Sequence, residues 1–262
     1  MPEEHTVSVY LLPELAAAER LAEGIAVVID VLRATTTIVT ALAAGCNAIY
    51  PCATVEEARR TADEMRVGRV LLAGERDGLP LPGFDQGNSP GEFTPARCRG
   101  LALVMTTTNG TRALLHSSFA ARTLVAGFVN FSAVCEQLRQ DVRPVHVICA
   151  GDAGQVAMED ALLAGAFVDF LCDVTDVRLN DAARLAWDCF ENHGRILDGA
   201  LEVCAGGVRL RNLGYDDDVR AAARVDQFAL VPELRRDPLR VEVGAVGIVK
   251  SHWPKDCGPQ RP

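Results

Sequence analysis

Strand-like and helix-like runs alternate through the first two-thirds of this chain, and the strand-like runs lead into short polar motifs. Ile25 to Val31 is continuous, apolar and rich in β-branched residues, the pattern of a strand covered on both faces. Thr6 to Leu12, Ala48 to Pro51, Arg69 to Ala73, Leu101 to Met105, Thr123 to Gly127 and Val145 to Ala150 read as further strands. Between them lie helical segments: Arg33 to Ala44 with Gly45 as its stop, Thr54 to Met65, Gly110 to Ser117, and a helix to Arg139 capped by Asn130. Thr54 and Glu57 have the spacing of a capping box. This alternation predicts an α/β fold of three α/β/α layers around a mostly parallel or mixed sheet. Val156 to Cys172, Asn180 to His193, Ile196 to Cys204 and Val208 to Arg224 make the C-terminal third helical, before weak strands at Phe228 to Val231 and Val241 to Val249. One domain over residues 1–262 is expected, with a division into subdomains near 150–180 as the alternative.

In an open α/β sheet the loops beyond the carboxyl ends of the strands converge on one crevice. Five motifs would meet there: Asp30-Val31-Leu32-Arg33-Ala34-Thr35-Thr36-Thr37, Gly74-Glu75-Arg76, Gly83-Phe84-Asp85-Gln86-Gly87-Asn88-Ser89-Pro90, Thr106-Thr107-Thr108-Asn109-Gly110-Thr111, and Met158-Glu159-Asp160. Together they supply carboxylates, guanidinium groups, hydroxyls and glycine-freed amides, the groups that hold a metal and a phosphate. Each also has a plainer reading. Asp30 ends an apolar strand, a costly place for an unpaired carboxylate, yet it could simply cap the helix that follows. Arg33 could clamp an anion with its fork or form a salt bridge. Glu75 suits a metal ligand or a base, and Arg76 an anion contact or a partner for Glu75. Thr106 to Thr111 could bind an anion at a helix start or only make a turn, and Gly151-Asp152-Ala153-Gly154 carries the same ambiguity. Glu159 and Asp160 point about 100° apart on a helix, so one or the other faces the crevice.

The long connection Gly74 to Pro95 is expected to be ordered, anchored by Phe84 and Phe93, and to place Asn88 and Ser89 over the site. Asp30, Glu75 and Glu159 or Asp160 are expected to converge on one metal. Other chemistries are excluded by pattern. There is no P-loop and no dinucleotide fingerprint. Leu32 stands where one phosphatase superfamily with a nucleophilic aspartate needs a second one. The five histidines lack metal-ligand spacing, and His146 reads as a satisfied core residue. Cys149 is followed by no phosphate loop and reads as structural.

Composition narrows the partners. The net charge of −9 argues against nucleic acid and anionic membranes. An anionic ligand then needs a local reversal of charge, by arginines or a metal. Nine cysteines form no C-x-x-C pair, Met1 to His5 begins no secretory signal, and no apolar stretch approaches the ~20 residues of a membrane span, so a reduced, cytoplasmic protein is expected.

Taken in order, I-D-V-L-R-A-T-T-T from Ile29, G-E-R-D-G from Gly74, G-F-D-Q-G-N-S-P from Gly83, T-T-T-N-G-T from Thr106 and M-E-D-A-L-L-A-G from Met158 resemble the 2-phosphosulfolactate phosphatase family, the ComB enzymes of coenzyme M biosynthesis. The later N-L-G-Y-D-D-D-V from Asn212 and Val231-Pro232 also fit, so the resemblance runs from about residue 25 to 232. It implies a Mg²⁺-dependent phosphoric monoester hydrolase that cleaves (2R)-O-phospho-3-sulfolactate, or a related phospho-2-hydroxycarboxylic acid, to the alcohol and phosphate. On this reading Asp30, Arg33 and Glu75 are catalytic. Asp30, Glu75, Glu159 and Asp160 hold Mg²⁺, with Asp30 either ligand or nucleophile. Arg76, Asn88, Ser89, Thr107, Thr108, Asn109 and Gly110 bind substrate. The implied partner is a small anionic phosphate ester, with a homodimer as the expected assembly if the chain associates. The alternative in a different class is a non-catalytic binding protein for a small phosphorylated acid.

Overall fold

A computed structural model describes residues 5–65, 70–246 and 250–254. Its strands are β1 (His5–Tyr10), β2 (Ile25–Ile29), β3 (Ala48–Pro51), β4 (Val70–Arg76), β5 (Leu79–Pro80), β6 (Ala102–Thr106), β7 (Arg122–Ala126), β8 (Val145–Cys149), β9 (Val177–Leu179), β10 (Leu230–Arg236) and β11 (Leu239–Val246). Its helices are α1 (Ala18–Leu21), α2 (Ala34–Ala43), α3 (Val55–Glu64), α4 (Pro95–Cys98), α5 (Gly110–His116), α6 (Phe131–Arg139), α7 (Met158–Val174), α8 (Asp181–His193), α9 (Leu197–Val203), α10 (Ala205–Asn212) and α11 (Asp216–Ala222).

The strands form one mixed sheet in the order β5-β4-β6-β3-β11-β10-β7-β2-β8-β1-β9. Strands β7, β2, β8, β1 and β9 run parallel to one another, and so do β4, β6 and β3. The β10–β11 hairpin joins these two blocks, antiparallel to β7 on one side and to β3 on the other. Helices cover both faces, as the alternation of runs predicts. The reason is visible in β2, where all five residues are buried. Val27 and Ile29 pack with Phe131 of α6 and Leu162 and Phe167 of α7, whereas Val28 packs with Ile38 of α2 and Leu114 of α5. Along β6, Leu103 and Met105 join the α2–α5 layer and Val104 faces Ala58 of α3. Helices α8 to α11 extend the α6–α7 layer through Phe190, Leu201, Leu210 and Val219.

Where the observed elements depart from expectation, local chemistry explains it. The single helix expected over Val208 to Arg224 is two, α10 and α11, because Gly214 takes φ +85 and ends α10 as a left-handed C′ residue. Strand β10 runs five residues past Val231. Pro232 is tolerated inside the sheet because the register shifts between Val231 and Pro232. Strand β4 runs on to Arg76 and turns back through Asp77 and Gly78 into β5, so Glu75 lies on a strand rather than in a loop. The three-residue β9 is too short for its periodicity to register in the sequence. Asn130 does precede α6, but its side chain turns back, accepting from Gly127 N and donating to Val125 O instead of capping the helix. His146 is in the core as expected, yet neither ring nitrogen has a partner among the described residues, and burial pushes its pKa down. Cys149 is a buried core residue, its thiol pushed well up by burial. The expected strand residues Arg69 and 247–249 lie outside the described residues, as does Cys257. Among the described residues no helix is long and apolar enough to cross a membrane.

The hairpin is pinned by one ion pair in the middle of the sheet. Glu233 is buried on β10 and accepts from Arg122 Nε and Nη2 of β7, each at 3.1 Å. Glu233→Ala leaves Arg122 with Asp141 as its remaining acidic partner at 3.5 Å. We expect a loss of about 1–3 kcal/mol in urea unfolding with an unchanged slope. No measurable loss would mean that backbone pairing alone holds the hairpin.

Candidate active site

Buried carboxylates at the strand ends assemble the site. Asp160, at the start of α7, accepts from Val31 N (2.9 Å) with Oδ1 and from Gly151 N (3.1 Å) with Oδ2. It thereby ties the segment after β2 to the segment after β8. Glu75, on β4, accepts from Thr108 N (2.8 Å) and Thr108 Oγ1 (3.0 Å) with Oε1, and from Gly78 N (2.8 Å) with Oε2. It ties the turn after β4 to the turn after β6. Asp30 follows β2 and accepts from Ala34 N (3.1 Å) with Oδ1, the helix-capping contact, while also lining the cavity that these turns enclose.

That cavity, about 440 Å³ including its open mouth, is lined by Asp30, Arg33, Glu75, Asn88, Thr108 and Asn109 from the sequence motifs. Leu32, Asp77, Gly78, Asp152, Ala153, Arg209 and Leu210 complete it. The remaining motif residues lie around it. Gly110 packs on Asp30: a Cβ there would lie 2.7 Å from Asp30 Oδ2, so the first turn of α5 can approach only as glycine. Thr107 is buried and spends its hydroxyl accepting from Thr111 N (3.1 Å). Arg76 donates to Glu75 O (2.7 Å) and Thr106 Oγ1 (3.0 Å), so it bridges the backbone of β4 and a side chain of β6. Ser89 Oγ donates to Asp218 Oδ1 at 2.5 Å.

The loop 74–95 is anchored at both expected positions, on opposite faces of the sheet: Phe84 against the α3 cluster and Phe93 within the α2–α5 core. Asn88 is held over the start of α2, its carbonyl accepting from Thr37 Oγ1 (2.9 Å).

Arg33 realises its plainer reading more fully than its clamp reading. It is only 4% exposed. Nη1 donates to Asp218 Oδ2 (2.6 Å), Nη2 donates to Gly78 O (2.7 Å), and the guanidinium lies 4.5 Å from the centre of the Tyr215 ring. Asp218, Asp152 and Arg209 are the site residues that sequence reasoning did not select. Asp218 is the third of three consecutive aspartates inside the helix expected over Val208 to Arg224, and it alone of the three is buried. Arg209 had no signal of its own on an ordinary helix. Asp152 sits in a motif noted as ambiguous.

Glu159 and Asp160 do diverge, and neither lines the cavity. Glu159 is buried against Gly206 and the Cys204 thiol, and its Oε2 has no partner among the described residues. Among the described residues no three His, Cys, Asp or Glu side chains gather into a metal cage. Glu75 and Asp160 already give both oxygens to N–H donors. Asp30, however, uses only Oδ1 in its cap, and the cavity around it is acidic. These residues fit a cation held by one or two carboxylates together with substrate oxygens, the usual manner of Mg²⁺ beside phosphates.

The fold and cavity define an α/β protein that sets carboxylates and arginines around a small polar cavity. A family model described as 2-phosphosulpholactate phosphatase matches residues 10–237. Similar proteins, each named probable 2-phosphosulfolactate phosphatase, include one from Symbiobacterium thermophilum, 38% identical over 216 residues, spanning 82% of this chain and 93% of that protein. Another from Deinococcus radiodurans is 40% identical over 212 residues, 80% of this chain and 87% of that protein. A third from Clostridium perfringens is 34% identical over 241 residues, 91% of this chain and 97% of that protein. The chain belongs to the 2-phosphosulfolactate phosphatase family, a family of phosphoric monoester hydrolases.

Burial pushes the Asp30 carboxyl up to about 7, opposed by the hydrogen bond from Ala34 N–H and assisted by the carboxylates of Glu75, Glu159 and Asp152. The folded state therefore keeps a proton on Asp30 over a pH range in which the unfolded chain, near 3.8, has lost it. Stability from this group is complete below about pH 4 and lost as pH rises through about 7. Asp30→Asn stays neutral and can still accept from Ala34 N. In EDTA, its advantage in denaturation midpoint over the parent should grow between pH 5 and pH 8. A difference independent of pH would contradict this account of Asp30.

Proposed function

We propose that this protein hydrolyses (2R)-O-phospho-3-sulfolactate to 3-sulfolactate and phosphate, or acts on a closely related phospho-2-hydroxycarboxylic acid, with Mg²⁺ as its cofactor. The observation that carries the reading is the meeting of Asp30, Arg33, Glu75, Asn88, Thr108 and Asn109, from four separated motifs, around one cavity in a chain of this family.

Hydrolysis forms a bond from water oxygen to phosphorus and breaks the bond from phosphorus to the C2 oxygen, which leaves with a proton. The substrate is a polyanion and the cavity wall is acidic, so approach is unfavourable until charge is offset locally. Bound at Asp30 with Glu75 beside it, Mg²⁺ would neutralise phosphoryl oxygens and orient water. The chain's own contribution is position. Glu75 fixes Thr108 and Gly78 on two sides of the cavity, and the cap on Ala34 N fixes Asp30. Asp30 then supplies a carboxylate at the reacting phosphoryl group, as ligand or as nucleophile. Asn88 and Asn109 offer amide groups along the wall. The proposed setting is the cytoplasm.

Phosphate release from phosphosulfolactate, phospholactate and phosphoglycolate should require Mg²⁺ and stop in EDTA. Asp30→Asn should lower kcat by about 10²–10⁴-fold with normal far-UV circular dichroism. Turnover of none of the three esters, or turnover indifferent to EDTA, would refute the proposal. Arg33→Lys keeps the charge but cannot serve Asp218 and Gly78 O from one planar fork. It should lower both stability and activity, where an isolated surface arginine would change neither.

A further inference from the structure

The arginines near the cavity differ in what they have left to give. Arg33 is bound to Asp218 and Gly78 O, and Arg76 is bound to Glu75 O and Thr106 Oγ1. Arg209 projects from α10 into the cavity wall, and its Nη1 donates to Asp152 Oδ2. Its Nε is buried and has no partner among the described residues. A guanidinium held through one nitrogen still has donors for a planar or tripodal oxyanion. Asp152 is itself held by Asn109 Nδ2 at 3.4 Å, so Nη1 of Arg209 is fixed while its part-exposed side chain borders the cavity. Across the cavity Asn88 Oδ1 is also buried and has no partner among the described residues. Its amide can be turned to present either oxygen or nitrogen. These two unmet groups border the same space as Asp30 without belonging to the carboxylate set.

Resting on the phosphatase reading above, we infer that Arg209 determines substrate specificity by binding, through its guanidinium, the acid group on the organic part of the phosphate ester. Asp152 holds the guanidinium in place for that contact, and Asp30 faces the phosphoryl group. The substrate class is then a phosphate monoester whose alcohol bears a carboxylate or sulfonate close to the ester oxygen. A plain alkyl phosphate leaves the Arg209 guanidinium without its acid partner and is discriminated against, as polar sites discriminate against ligands lacking the matching group.

The test compares Arg209→Gln and Arg209→Lys with the parent on phosphosulfolactate, phospholactate and isopropyl phosphate, the last being phospholactate with a methyl in place of the carboxylate. Both variants should fold, because Arg209 is part-exposed and its side chain is 39% accessible; thermal unfolding checks this. The ratio of kcat/KM for phospholactate to that for isopropyl phosphate should fall by about 10–100-fold in Arg209→Gln, mainly through KM. Arg209→Lys should recover only part of it. A fall confined to phosphosulfolactate would assign the contact to the sulfonate, within the same inference. A merely structural role would lower all three activities together and leave the ratio unchanged, which would overturn the inference while leaving the phosphatase reading intact. Calorimetric binding of 3-sulfolactate with Mg²⁺ separates the opposite case. If the parent turns over no ester but binds 3-sulfolactate, loss of that binding in Arg209→Gln upholds the role of Arg209, and equal binding, or none by the parent, overturns it.

Discussion

Carboxylates buried at strand ends and satisfied by backbone N–H groups are the interaction on which the site depends. A buried carboxylate is costly unless its lone pairs are met. Asp160 meets that cost at Val31 and Gly151, and Glu75 meets it at Gly78 and Thr108. Each contact crosses between chain segments far apart in sequence. The turns after β2, β4, β6 and β8 are therefore fixed relative to one another by side-chain acceptors as well as by the sheet. Asp30 differs from the other two in lining the cavity with one oxygen outside its cap.

The same principle organises the positive charge. Asp218 takes Arg33 and Ser89 at once, and Tyr215 lies against the Arg33 guanidinium. The loop from β4, the start of α2 and helix α11 are locked together by that triad. An arginine so committed shapes the cavity. Arg209, part-exposed on the cavity wall and held through Nη1 alone, is the one placed to respond to what enters. Under the proposed function, a protein of net charge −9 would admit an anion without a basic surface, through a cation and one guanidinium at the point of contact.

Much of this was legible in the sequence because apolar periodicity and turn chemistry act locally. The β-branched run Ile25 to Val31, the Thr54–Glu57 cap and the stop at Gly45 each became the expected element. The convergence of Asp30, Glu75, Asn88, Thr108 and Asn109 followed from their placement beyond strand ends. What stayed hidden depends on tertiary partners. Which of three successive aspartates would be buried against Arg33 is decided by the rotation of α11. That β10 and β11 would sit between the two parallel blocks rests on pairing with β7 and β3, distant in sequence, and on Arg122 reaching Glu233 across the sheet. Nothing in the R-L-R stretch of α10 distinguishes Arg209 from Arg211, which pairs with Glu202 and Asp216 on the surface.

The account stands on the claim that a phosphate ester is bound and cleaved in the cavity beyond β2, β4, β6 and β8. A crystal structure with Mg²⁺, orthovanadate and 3-sulfolactate tests it most directly. The vanadate should lie against Asp30, between the turns held by Glu75, with an acid group of sulfolactate on Arg209. Ligands found instead in the separate cavity lined by His5, Leu138, Arg139 and Leu171, or none bound near Asp30, would contradict it.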